Sequence, residues 1–391
     1  MKKKLYCSFS CFIVLGYLLI CSALFSQEED KWIIEAKTFL AAHPENKGLG
    51  FLIQAVEKMN IEAYLSHSKD MDNIIRTGWK GQNQKLQELL TSQSPAMEAA
   101  AQAGQAAPFS LPPYKDVDSP VPSFSKMQGI AKMMSTDARR LESAGMVDQA
   151  ADRAVQAAFF GDVFCAKEQS LISYLIGLAS LKIFFISLES ILCHPGLSIQ
   201  AAQKIGGRLF ELDKKHIGIS VILRNEFRPS LSGLKVFRDI EDDLESKDST
   251  IQKLLHNDEV DYQKVWDAII ANMEKPYWER KNIDAAFIRE QISNQFVEKF
   301  VQNINFREAA TRADYAIAHL RLCEALCALK LQKKDLLAQF QDPFTGRPLV
   351  LAPDRIYSLG PDMIDQKGAL LYDPTNGTVS PGDIAVLALP K

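Results

Sequence analysis

The run LISYLIGLASLKIFFISLESIL, Leu171 to Leu192, constrains this chain most, because it is apolar around its circumference and carries only two charges, Lys182 and Glu189. A helix of that length and composition can cross a bilayer. A charge held at mid-membrane, however, costs about 2.5–3.5 kcal/mol on insertion scales. Two such charges point instead to the core helix of a globular body. The bulk composition, 47% hydrophobic and 24% charged, fits the same view.

Helical grammar dominates the flanks. From residue 30 to 91, WIIEAKTFLAAH and GFLIQAVEKM place apolar residues at spacings of three and four, with His43-Pro44, Asn46 and Gly48 as the break of a helical hairpin. Between 92 and 125 the composition shifts to SQSPAMEAAAQAGQAAPFSLPPYKDVDSPVPSFS. Its prolines remove amide donors and disfavour helix at the residues before them, which predicts an extended surface linker. A helical domain is expected over 126–340. Ser135, Thr136 and Asp137 serve as N-cap oxygens for a helix running on towards the stop signal His194-Pro195-Gly196. Later helices are expected over 200–215, 249–273 and 283–340, the last broken near Asn303–Phe306.

The N-terminus has a basic MKKK followed by the uncharged LYCSFSCFIVLGYLLICSALF and then the polar SQEEDK. This is the layout of an export signal over 1–26, cleaved or retained as an inner-membrane anchor through residues 5–25. The chain is therefore expected outside the cytoplasm, in the periplasm or cell envelope, and to touch a membrane only through that segment. The formal charge is -3, and without the first 26 residues 42 basic groups face 48 acidic ones. Such a balance gives no footprint for nucleic acid.

Motifs with chemical content are few. H-E-x-x-H, G-x-S-x-G, the P-loop and G-x-G-x-x-G do not occur. S-x-x-K occurs at Ser66–Lys69 and Ser123–Lys126, a spacing that lets lysine activate serine but that also arises by chance. His319, Cys323 and Cys327 share one helical face, where a soft-metal site competes with plain core packing; packing is favoured, because the outer two are too far apart to share an ion. Four cysteines, Cys165, Cys193, Cys323 and Cys327, follow the signal, and their spacing predicts no full disulfide framework. EKPYWERKNID, with Tyr277 and Trp278 among Lys275, Arg280 and Lys281, reads as an inter-helix corner or, less economically, as an anion site.

After Phe340 the pattern changes to short apolar runs among Pro343, Gly346, Pro348 and Pro353. Strands are expected at Leu349–Leu351, Ile356–Leu359 and Ile384–Leu389, with Asn376-Gly377 as a turn, forming a small antiparallel β module over 341–391. Its loops carry Asp362, Asp365, Asp373 and Asp383, hard oxygen donors of the kind calcium takes roughly six to eight of.

DPFTGRPL with IYSLGPD, following a helical body, resembles the ending of a group of exported helical proteins of planctomycete-type bacteria. YSLGPD with YDPTNGTVSPGDI is also similar to the C-terminal region of the major pseudopilins of type II secretion. That resemblance implies calcium at the aspartates: Asp362 and Asp383 first, Asp365 as a weaker match, and Asp373 through proximity alone. It also implies an envelope or secretion-system protein as partner. The pseudopilin N-terminal processing site, with Phe-Thr-Leu-Ile-Glu behind it, has no counterpart near Met1, so entry into a pilus by that route is not expected.

The combined expectation is a mainly α protein, an irregular multi-helix body with a small C-terminal antiparallel β module. Functionally it is expected to be an exported, non-catalytic structural or interaction protein with a calcium-ordered loop. The alternatives are a binding module acting through its tail, and a hydrolase whose site is assembled from distant residues.

Overall fold

Asparagines restart the chain's first helices. The computed structural model describes residues 31–81, 83–107, 109–113, 119–166, 169–245, 251–302, 304–373 and 380–387. The expected signal at 1–26 and the Asn376-Gly377 turn lie outside these. Helix α1 (31–42) ends at the expected break, and α2 (Lys47–Lys58) begins after Asn46. Asn46 Oδ1 accepts from Leu49 N at 3.3 Å, while its Nδ2 donates to Ser110 O at 2.7 Å. Asn60 and Asn83 cap α3 (Ile61–Leu65) and α5 (Gln84–Ser92) in the same way, with α4 (Ser68–Thr77) between them. The expected hairpin is therefore five helices.

The expected linker contains a sixth helix, α6 (Ser94–Gln105). Pro95 stands in its first turn, where a missing amide costs nothing, and alanine is the strongest helix former. Ala96, Ala99, Ala100, Ala101 and Ala103 are buried, so this stretch belongs to the core. At Gly104 an added Cβ would lie 2.6 Å from the backbone nitrogen of Phe160 in the neighbouring helix, which explains the small residue there.

Next come α7 (Phe124–Ser143), α8 (Val147–Asp162) and α9 (Leu171–Leu192). Ser135, Thr136 and Asp137, expected as caps, sit inside α7. Thr136 Oγ1 bonds back to Lys132 O at 2.8 Å, and Asp137 holds Arg140 at 2.7 Å and Arg153 at 3.2 Å. The oxygens of Thr136 and Asp137 are thus taken up by a turn of the same helix and by an ion network to α8, while the Ser135 hydroxyl is buried without a partner. Ser170 starts α9 by accepting from Ser173 N at 3.2 Å, and the helix stops before His194-Pro195-Gly196 as expected.

The remaining helices are α10 (Ile199–Lys215), α11 (Ile219–Glu245), α12 (Ile251–Met273), α13 (Ala285–Arg289), α14 (Gln295–Gln302) and α15 (Phe306–Lys330). The last expected helix is thus three, with its main restart at the predicted Asn303–Phe306 break. By length and composition α9 could span a membrane, yet over half of it is buried here. It packs against α7, α8 and α15, and Phe184, Phe185, Leu188 and Ile191 are fully buried. Its charge Glu189 meets the imidazole of His319 on α15, so one of the two interruptions is a side-chain hydrogen bond on a helix seam.

The protein is mainly α with one small antiparallel sheet. Strands β1 (Val350–Leu351), β2 (Arg355–Ser358) and β3 (Ile384–Leu387) lie in that order, with Val350 opposite Tyr357 and Ile356 opposite Val386. A single contiguous apolar core runs from Trp32 to Val386, so the module shares the core of the body. The aromatic corner makes the joint: the Tyr277 ring packs edge-on against Phe344 at 4.8 Å, and its hydroxyl donates to Pro361 O at 3.1 Å. The corner reading of that cluster is the one the packing supports.

Candidate functional site: the acidic C-terminal loop

Asp342 explains why DPFTG and YSLGPD occur in one chain. Its buried carboxylate accepts from Phe344 N at 2.9 Å and Thr345 Oγ1 at 3.2 Å within its own turn. It also accepts from Ser358 Oγ and Leu359 N, each at 2.9 Å, at the end of β2. The two motifs are thus a single hydrogen-bonded unit, and the loop that follows Leu359 leaves it from a fixed point.

That loop is held in backbone conformations that side chains rarely adopt. Met363 and Lys367 have φ of 57° and 60°. Across from them Gly382 has φ of 135°, and a Cβ there would lie 2.5 Å from Tyr372 N. Backbone of this kind persists where its surroundings over-determine it, and such sites cluster at ligand clamps.

Three of the four candidate aspartates come together here. Asp362 accepts from Ile364 N at 3.1 Å, Gln366 Nε2 at 2.8 Å and Gly382 N at 3.2 Å. Asp365 accepts from the Tyr357 hydroxyl at 3.0 Å and Lys367 N at 2.7 Å. Asp383, fully buried, accepts from Gly368 N at 2.7 Å through one oxygen, while its other oxygen has no partner. Burial pushes the Asp383 carboxyl up to about 6, and the charges of Asp365 and Asp362 push the same way against the Gly368 and Gln366 amides. The Gln366 side-chain oxygen is likewise buried without a partner. Asp373 is not among this group: its charge acts on Lys182, Tyr315 and Tyr372 instead.

The orphaned oxygens of Asp383 and Gln366, beside two further carboxylates, are the right chemistry for a hard cation such as calcium. Among the described residues, no three His, Cys, Asp or Glu side chains converge closely enough to hold an ion. The loop is therefore an acidic, acceptor-rich locale rather than a formed cage. A cation there would take up acceptors that otherwise repel one another.

The remaining candidates resolve as structure. Ser66 Oγ donates to Ala63 O at 2.8 Å and lies 2.8 Å from His67 Nδ1, while Lys69 is exposed. Lys126 Nζ donates to Val56 O at 3.2 Å. Cys323 and Cys327 are buried, their thiols pushed up chiefly by burial, and all four described cysteines are free. The Glu189–His319 pair was not anticipated. Glu189 as one of two charges in an apolar helix was the available signal.

Comparison with family models, with curated proteins and with solved structures finds no match. The loop's geometry therefore carries the functional interpretation by itself.

Proposed function

We propose that this is an exported, non-catalytic structural or interaction protein of the cell envelope whose C-terminal loop is ordered by calcium. The observation that carries the calcium reading is the buried, partnerless oxygen of Asp383 set beside Asp362 and Asp365. The carboxylates are already bound to backbone amides of their own loop, which suits a fastening role. Export rests on the N-terminal sequence, and the likeness of the tail to pseudopilin endings is part of the same proposal. Asp383 and the side-chain oxygen of Gln366 would hold the ion, with Asp362 and Asp365 drawn in from their present positions. Calcium would supply charge neutralisation only.

A ligand that binds only the folded state stabilises it by about 2.7 kcal/mol at a hundredfold excess over Kd. Thermal unfolding of the full chain in millimolar calcium and then in chelator should show a chelator-sensitive transition. Asp383→Asn and Asp362→Ala should each abolish that sensitivity. Superimposable curves for the unmodified chain would remove calcium from the account.

A second reading has its own observation. Met363, Ile364, Leu370 and Leu371 are large apolar residues, each more than two-fifths exposed, on the same segment. Such clustering is what a protein-binding surface shows. Ile364→Asp and Leu371→Asp should then reduce retention of an envelope or secretion partner without changing the unfolding temperature. Unchanged retention would eliminate a tail-borne binding module.

A further inference from the structure

On the partly exposed flank of α9, Ala179, Ile183 and Ile186, together with the core residue Leu178, form the apolar floor of a half-open cleft of about 400 Å3. Tyr315 of α15 and Tyr372 of the C-terminal segment wall it, their rings 5.3 Å apart. Volumes of about 300–1,000 Å3 are usual for small-molecule sites.

Three cations from three elements meet around this floor: Arg76 from the end of α4, Lys182 from α9 and Arg312 from α15. Their acidic neighbours are largely committed. Asp72 holds Lys132 at 2.8 Å, and Glu308 pairs with Arg312 one turn away. Neither Arg76 nor Lys182 has an ion-pair partner among the described residues. Asp373 favours the charged form of Lys182, but burial, Arg76 and Arg312 each outweigh it. The Lys182 ammonium stands 5.0 Å from the centre of the Tyr315 ring, half-buried, and is held below the usual lysine range by burial and then by the two arginines. Like charges gathered over an apolar surface favour an anion that also covers that surface.

We propose that this cleft binds a small amphiphilic anion, a carboxylate carrying an apolar tail, with its head among Lys182, Arg76 and Arg312 and its tail along Ile183 and Ile186. The head group neutralises cations that repel one another. The tail removes from water the half-exposed side of a helix that is apolar all round.

Titration calorimetry of the full chain with octanoate tests this. One site is expected, with 1-octanol and inorganic phosphate each bound at least tenfold more weakly. Lys182→Met and Arg312→Gln should each weaken octanoate at least tenfold, and Ala179→Trp, which fills the floor, should abolish binding while the circular dichroism stays native. The site is expected to retain octanoate in the presence of phosphatidylglycerol vesicles. Absence of octanoate binding would overturn the proposal, as would equal binding of octanol or phosphate. Unchanged affinity in the folded variants would do the same, and displacement by the vesicles would overturn it in favour of a bilayer lipid.

Discussion

Remove the Asp342 carboxylate and four donors lose their acceptor at once: Phe344 N, Thr345 Oγ1, Ser358 Oγ and Leu359 N. Each buried donor left unpaired costs about 1–3 kcal/mol, so Asp342→Ala should cost at least about 3 kcal/mol in urea unfolding. Hydrogen exchange at Leu359 should lose its protection in the same variant. Glu324 poses the opposite case. Burial pushes its carboxyl up to about 8, with Asp213 adding to the effect and Arg321 opposing it, and one of its oxygens is buried without a partner. A carboxyl raised on folding stabilises the protein below its unfolded value, and that contribution is lost as pH climbs through about 8. Glu324→Gln, which cannot ionise, should therefore match the parent at pH 4 and exceed it at pH 9. A gain on the order of 2 kcal/mol is expected. Equal stability at both pH values would refute the buried-charge account.

Among the elements, α6 is the one whose character composition concealed. Counting prolines over 92–125 predicts an extended chain, but Pro95 occupies a first-turn position and the alanines face inward. Alanine carries little hydropathy contrast, so an alanine-rich helix that packs closely on its neighbour leaves almost no periodic signal. Gly104→Leu should cost about 1–3 kcal/mol or more by forcing α6 off the α8 backbone, read as a fall in thermal midpoint. A midpoint that stays put would return the segment to linker status. The three strands, by contrast, were legible because β-branched and aromatic runs alternate with prolines and glycines. The convergence of Asp362, Asp365 and Asp383 was legible in part, since all three belong to loops of one small module. The cleft on α9 was not, because its cations come from residues 76, 182 and 312 and only tertiary packing brings them together.

Across the whole molecule, the aromatic corner decides how far events in the tail reach. Tyr277 is bonded to Pro361, the residue before Asp362, and packs on Phe344 beside Asp342. Tyr277→Phe should lower stability by about 0.5–1.5 kcal/mol, the net worth of one hydrogen bond. It should also shrink the calcium-dependent protection of α15 amides in hydrogen exchange; equal protection in both proteins would show that the joint transmits nothing. The free cysteines have a different consequence. Thiol exchange proceeds through the thiolate, and burial pushes Cys193 and Cys327 up to about 12 and Cys165 and Cys323 well above the usual thiol range. Once folded, the four described cysteines, none of them crosslinked, are held in the protonated form that exchanges slowly. Before folding the chain carries thiols of ordinary reactivity, so its exposure to mispairing lasts only as long as its own collapse.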